Sequence, residues 1–230
     1  MLIFPAIIIT LKDYFNVGID TLGWMYMLSS FMFGLGSIPA GLFEKKVGEK
    51  KLLILFQIGA SISGLIIALA NDVRIMTLGM MLLGLSASIY HPAGLTIISR
   101  RIQQTSKAMG FHGIAGSLGL AVGPLLAAWF SSTLDWRFAY LSMILLWLIL
   151  AVLTTILIPE KNMMEDVQEK IRPKHSKLKP LVTYYIITSL IGLAFTGFIT
   201  YMPVFFSNNA YSFSFFNDKI FAGGIATTIV

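Results

Sequence analysis

The sequence predicts an all-helical, multi-pass membrane protein. Three observations predict it: apolar stretches of about twenty residues recur along the chain, few of them carry a charge, and the basic residues gather in alternate loops. A helix rises about 1.5 Å per residue, so roughly 20 apolar residues cross a hydrocarbon core of about 30 Å. Five segments meet that length, at Thr21 to Phe43, Leu52 to Ala70, Ile75 to Ser99, Ala108 to Leu134 and Phe138 to Pro159. A sixth, more aromatic and more polar, runs from Leu181 to Ser207.

The two ends are shorter. Only Leu2 to Leu11 precede Lys12, and only Ile220 to Val230 follow Lys219. Each covers about half the hydrocarbon thickness, so they are expected to be the outer halves of a first and an eighth helix. No basic run precedes Leu2, as a signal peptide would require.

A net charge of +6 raises nucleic acid as a partner, and the position of the charges argues against it. Alternating the loops puts all 17 cations except Lys12, Arg74, Arg137 and Lys219 on one face. By the positive-inside rule that face is cytoplasmic, and the basicity reports orientation and attraction to anionic lipid. Tyr14, Trp24, Trp129 and Trp136 fall near the opposite boundary, where an aromatic belt is expected. With no cysteine there are no disulfides and no thiolate metal sites.

Loop length sets the organisation. Glu160 to Pro180 is long, charged and poor in apolar residues, whereas the other connections are short. The expected units are therefore a six-helix bundle over 1–160 with a truncated first helix, a cytoplasmic linker over 161–180, and the start of a second bundle over 181–230. Gly34-Leu35-Gly36-Ser37-Ile38-Pro39 matches Gly119-Leu120-Ala121-Val122-Gly123-Pro124 at its Gly, Leu and Pro positions. Those two helices run in opposite directions, so an inverted three-plus-three repeat and chance both remain open.

The fifth helix, Ala108 to Leu134, carries Gly110, Gly113, Gly116, Gly119 and Gly123 ahead of Pro124. Their spacing keeps them near one face, and small residues let helix backbones approach in lipid. Pro124 withdraws a backbone donor there. Close packing and a sliding or hinge surface are the two readings.

Polar groups within spans are few. All eleven acids lie in loops or at helix ends, so no carboxylate stands at mid-span in this bundle. His91 is the main titratable group inside a span, and His112 lies near the cytoplasmic start of the fifth helix. His91 either bonds a carbonyl freed by Pro92 or handles a proton or substrate. Tyr90, Gln57, Tyr184, Tyr185, Thr196 and Tyr201 are candidates for lining a cavity or for interhelical hydrogen bonds. Enzyme chemistry finds no support. Ser117 lacks the first Gly of a Gly-x-Ser-x-Gly elbow, and neither a His-Glu-x-x-His helix nor a phosphate-cradling Gly-x-x-x-x-Gly-Lys-Ser/Thr loop occurs. No cofactor is expected.

Three stretches together resemble the N-terminal half of a major facilitator superfamily transporter. Gly41-Leu42-Phe43-Glu44-Lys45-Lys46-Val47-Gly48-Glu49-Lys50-Lys51 is similar to the family's cytoplasmic signature, with Lys45 standing where the family has an Asp and Glu44 beside it. Gly110, Gly119, Gly123-Pro124 and Ala127-Ala128 are similar to the fifth-helix antiporter signature, the last Gly pair having become Ala. Tyr90-His91-Pro92-Ala93-Gly94, Gly110-Phe111-His112-Gly113 and Asp135-Trp136-Arg137 resemble a bacterial branch that includes fosmidomycin-resistance-like permeases. The family's fourth-helix Arg would fall on Met80.

The resemblance implies a twelve-helix fold in which two six-helix bundles hold a small-molecule substrate between them and expose it alternately to each side. It also implies residence in the cytoplasmic membrane of a bacterium, secondary active transport with the proton as coupling ion, and efflux as the direction. A chain of 230 residues would then hold one bundle and part of the next, and a non-transporting fragment or assembly partner is the alternative.

Overall fold

A computed structural model describes residues 2–160 and 178–208, without the side chains of Lys45, Leu178, Lys179 and Leu181. Most of the expected linker, 161–177, and the expected half of an eighth helix at 220–230 lie outside the described residues. The described residues form helices joined by short turns, in the order α1 (Ile3–Ala6), α2 (Ile8–Phe15), α3 (Ile19–Val47), α4 (Glu49–Ala68), α5 (Val73–Ala87), α6 (Tyr90–Arg101), α7 (Thr105–Thr133), α8 (Arg137–Leu157) and α9 (Leu178–Asn208). The chain is an all-α, multi-pass membrane protein. Six stretches are long and apolar enough to cross a bilayer, and one of them, Val73–Arg101, comprises both α5 and α6.

Each boundary has a local cause. Asn16 ends α2 in the left-handed region at φ 51°, a conformation that Asn tolerates better than most residues. Gly48 separates α3 from α4 at φ 88° and ψ 146°, which strongly favours glycine, and this explains the Gly in the cytoplasmic signature. Asp72 caps α5 by accepting from the N–H groups of Arg74 and Ile75 at 2.7 and 2.9 Å.

The core is built around α3, α4, α5 and α8, with α1 and α2 laid into it. Phe4, Ile7, Ile8 and Leu11 are fully buried, and the Phe4 ring stacks on Tyr26 with centroids 5.6 Å apart. Lipid gives no hydrophobic drive to join helices, so close backbone approach and interhelical hydrogen bonds must do so. The approach is closest at Gly84 of α5, where an added Cβ would run into the Ser29 carbonyl of α3. Ser29 Oγ donates to the Met80 carbonyl at 2.6 Å, one turn away on the same interface. Gly36, Gly59, Gly64 and Gly79 abut other helices in the same way.

The glycines that dominate the sequence pattern behave differently. A Cβ at Gly110, Gly113, Gly116, Gly119 or Gly123 would meet nothing within 4 Å among the described residues. That face of α7 is open, while Pro124, Ala127 and Ala128 are buried and Thr10 of α2 bonds Ser131 of α7 at 2.8 Å. Helix α9 stands apart, touching α1 and α2 and placing the Tyr201 hydroxyl at Gly23.

One sequence expectation is corrected at the outer end. Trp136 does not face a lipid boundary; it is 2% exposed and packs its ring against Tyr14, Phe15 and Tyr140. Arg137 holds this cluster together. Its Nε donates to the Ala68 carbonyl at 2.9 Å, and Nη2 donates to Tyr14 Oη at 2.7 Å and to the Ala70 carbonyl at 3.1 Å. The Ala68 carbonyl ends α4 and the Ala70 carbonyl lies just beyond its cap, where no helical N–H is left to satisfy them and a cation is favoured by the helix dipole.

Candidate functional site

The fourth span carries a proline in its middle. Pro92 has no N–H, so the Ser88 carbonyl loses its helical partner, and the hydrogen bonding tightens at Ser88 and Ile89 while both keep right-handed helical dihedrals, with φ −59° and −77°. The Ile89 N–H bonds the Ser86 carbonyl at 3.2 Å, and the regular ladder resumes with the Ala93 N–H on the Ile89 carbonyl at 3.2 Å. Both sides of the turn are clamped. Gly36 of α3 leaves room for Ser88, and Gly59 of α4 leaves room for Ser86. The proline thus frees a carbonyl within one continuous 29-residue span and does not unwind it, a local adjustment that membrane helices tolerate.

Tyr90 and His91 open α6, the second half of the span, and rings from three other helices converge on them. Phe33 of α3 meets His91 edge-on at 6.2 Å between centroids, and Phe56 of α4 lies 5.3 Å from Tyr90. His112 of α7 stacks on Tyr90 at 6.0 Å with the planes 29° apart. Tyr90 and His91 are themselves 5.2 Å apart. His91 is exposed, and Tyr90 and His112 are half-buried.

The sequence offered a hydrogen bond from His91 to a carbonyl freed by Pro92. The structure has none: among the described residues neither His91 nor His112 makes a hydrogen bond, and the Tyr90 hydroxyl makes none either. Two imidazoles and a phenol therefore stand together with their polar atoms uncommitted. Counting from Arg101 and Thr105, His91 and His112 lie about 15 and 10 Å inside the cytoplasmic ends of their helices.

Other candidates fall elsewhere. Gln57 is buried and donates from Nε2 to Thr154 Oγ1 of α8 at 3.0 Å, while its Oε1 has no partner among the described residues. It is an interhelical tie. Tyr184 and Tyr185 lie exposed on α9, ring against ring at 5.8 Å, and Thr196 accepts through its carbonyl from Thr200 Oγ1 at 2.7 Å. None of the three joins the His91 cluster.

At the cytoplasmic signature the ends of α3, α4, α6 and α8 are tied together. Arg100 bonds Glu44 with both Nη atoms, at 2.8 and 3.3 Å, and Arg101 bonds Glu49 through Nη2 at 2.8 Å and Nε at 2.9 Å. Arg101 Nη1 also reaches the Pro159 carbonyl at 2.7 Å, and Lys50 Nζ donates to the Thr155 carbonyl at 2.9 Å. Lys51 is exposed, and Gly41 has open space beside it. The acid missing at Lys45 has its counterpart one residue earlier, at Glu44. Met80, at the position of the family's Arg, is fully buried under Ser29 and accepts a weak hydrogen bond from Tyr140 Oη at 3.9 Å.

Sequence reasoning missed Phe33, Phe56, Gly84 and the reach of Arg137. The aromatic pair carried no motif, and the Arg137 acceptors are backbone carbonyls.

Comparison with known proteins agrees with this architecture. The Major Facilitator Superfamily profile matches residues 1–230. Multidrug resistance protein 2 of Bacillus subtilis is 27% identical over 206 residues, 88% of this chain and 50% of the relative. A probable sugar efflux transporter of Helicobacter acinonychis is 28% identical over 135 residues, 57% of this chain and 34% of the relative. Quinolone resistance protein NorB of Staphylococcus aureus is 26% identical over 141 residues, 60% of this chain and 30% of the relative. The chain thus spans half or less of the length of these relatives. With a family match along its whole length and six bilayer-length helical stretches, the chain belongs to the major facilitator superfamily of membrane transporters.

Proposed function

We propose that residues 1–160 are the first six-helix bundle of a secondary transporter that exports a small molecule by alternating access across a bacterial cytoplasmic membrane. Residues 161–180 are its linker and 181–230 begin the second bundle. The observation that carries this reading is the ring cluster beside Pro92 in the fourth span, where His91 and Tyr90 meet His112 of α7 and none of the three side chains makes a hydrogen bond among the described residues. Relatives named for efflux and drug resistance support the outward direction. None of the chain's acids lies in the middle of a span, so within this chain proton transfer falls to His91 or His112.

The open glycine face of α7 and the tied cytoplasmic ends supply the moving parts. A smooth face with no side chains lets a partner helix slide or tilt, and the arginine ties keep the bundle rigid while it does so. The test is transport by the intact protein in sealed vesicles with an imposed proton gradient, using a quinolone, a lipophilic dye and a hexose as solutes. Uphill movement that collapses with a protonophore is the expected result. Movement of every solute only down its own gradient would remove proton coupling.

A further inference from the structure

The proposed function leaves the chemistry of the solute open, and the ring cluster narrows it. We propose that Tyr90, His91 and His112 bind the anionic group of an aromatic organic acid, with Phe33 and Phe56 flanking its ring. This inference rests on the reading of the bundle as half of a transporter and adds a ligand class to it.

The polar atoms come first. Each imidazole carries an N–H donor at any pH and a second one when protonated, and the phenol adds an O–H. All three are uncommitted among the described residues, and they meet on one open face. Donors gathered in one ring cluster, with no carboxylate among the described residues beside them, suit an acceptor-rich, negatively charged group. A cation would have no anion to pair with here, because among the described residues no acid is in the cluster.

The charged surroundings have the same sign. On α6 the nearest charges are Arg100 and Arg101, and on α7 the nearest is Lys107. On α4 they are Lys50, Lys51 and Glu49, and on α3 they are Lys46 and Glu44. Both acids are taken up by Arg100 and Arg101, so the free charge along the cytoplasmic approach is positive. A positively lined entrance concentrates anions ahead of binding.

The rings decide the rest of the ligand. Four helices place five rings in a branched cluster centred on Tyr90, with touching centroids 5.2 to 6.2 Å apart. That spacing is typical of offset and edge-on aromatic contact, which a planar solute extends. A sugar would ask for amides and carboxylates instead. The amide on this stretch of α4, Gln57, is buried and bonded to Thr154.

The experiment is calorimetric titration of the purified protein with three probes that share one ring system: naphthalene-2-sulfonate, naphthalene-2-sulfonamide and 2-naphthyltrimethylammonium. The sulfonate stays ionised throughout, so any pH dependence comes from the protein. The sulfonate is expected to bind about tenfold more tightly than the other two at pH 6. His91→Gln and His112→Gln should each weaken sulfonate binding several-fold, and the double variant should level the three probes while ring binding remains. Tyr90→Phe, a milder change, should weaken the sulfonate alone.

Equal binding of the three probes, preference for the cation, no saturable sulfonate binding, or a sulfonate preference that survives in a folded double variant would each overturn the assignment. Failure here is separable from failure of the transport reading. Sulfonate preference without uphill transport removes the transporter mechanism and keeps the site, and uphill transport of cations by a protein that ignores the sulfonate does the reverse.

Discussion

Arg100 of α6 grips Glu44 of α3 with both of its Nη atoms, at 2.8 and 3.3 Å. The Glu44 carboxylate is nearly buried while the Arg100 side chain is 43% exposed. Paired this way, an acid displaced by one position in the cytoplasmic signature still ties α3 to the fourth span. Glu44→Gln should weaken that tie, and Arg100→Ala should do more harm because it strands a buried carboxylate. The cost is expected at about 1–2 kcal/mol, held down by the exposure of Arg100. Thermal unfolding of the purified protein measures it, and the exchange of both residues, Glu44→Arg with Arg100→Glu, should recover part of the loss. No loss in either single variant would show that the pair contributes nothing.

A second prediction separates two kinds of glycine. Gly84→Ala puts a methyl group against the Ser29 carbonyl, so α3 and α5 must move apart. Overpacking of this kind typically costs 1–3 kcal/mol, read as a lowered unfolding temperature. Gly119→Ala meets nothing within 4 Å and should leave that temperature unchanged. Gly123→Leu should likewise spare folding and insertion yet abolish transport by the intact protein, since bulk on the open face of α7 would block the partner helix. Full transport by Gly123→Leu would show that this face looks into lipid.

Orientation makes the third prediction. The chain has no cysteine, so a single introduced thiol reports one position. Lys51→Cys, exposed at the start of α4, should react with a membrane-impermeant maleimide only from the cytoplasm, and Asn71→Cys, exposed at the far end of that helix, only from outside. Gly48 is a poor probe site because its φ of 88° strains any side chain. The opposite accessibility would invert the topology drawn from the charge bias.

These comparisons show what the sequence could and could not disclose. The spans were legible because hydropathy and length are properties of the chain alone, and Thr21 to Phe43 lies wholly within the observed Ile19–Val47. The tightened hydrogen bonding at Ser88 and Ile89 was not, since the apolar run continues across it and Pro92 acts on a carbonyl four residues upstream. The Arg137 contacts escaped because Ala68 and Ala70 contribute only backbone. His91 and His112 stood out as rare polar residues in apolar segments, but their union with Phe33 and Phe56 depends on four helices meeting. Repetition drew attention to the α7 glycines, whereas Gly84, isolated in its segment, marks the closest contact found between helices.

The last prediction concerns the residue that stands where the family places an arginine. Met80 is completely buried between α3 and α8, with Ser29 bonded to its carbonyl and Tyr140 to its sulfur. Those two hydroxyls are its hydrogen-bond partners from other helices among the described residues, and the described acids lie at helix ends or in loops. Met80→Arg would therefore bury a guanidinium with no carboxylate to pair it, a change that costs several kcal/mol even after local relaxation. The expected outcome is loss of the monodisperse peak when the detergent-extracted protein is examined by size-exclusion chromatography. Met80→Leu conserves volume and should cost less than about 1.5 kcal/mol. A well-folded Met80→Arg protein would mean that this position opens onto water, and the solute pathway would then have to be redrawn to pass between α3 and α8.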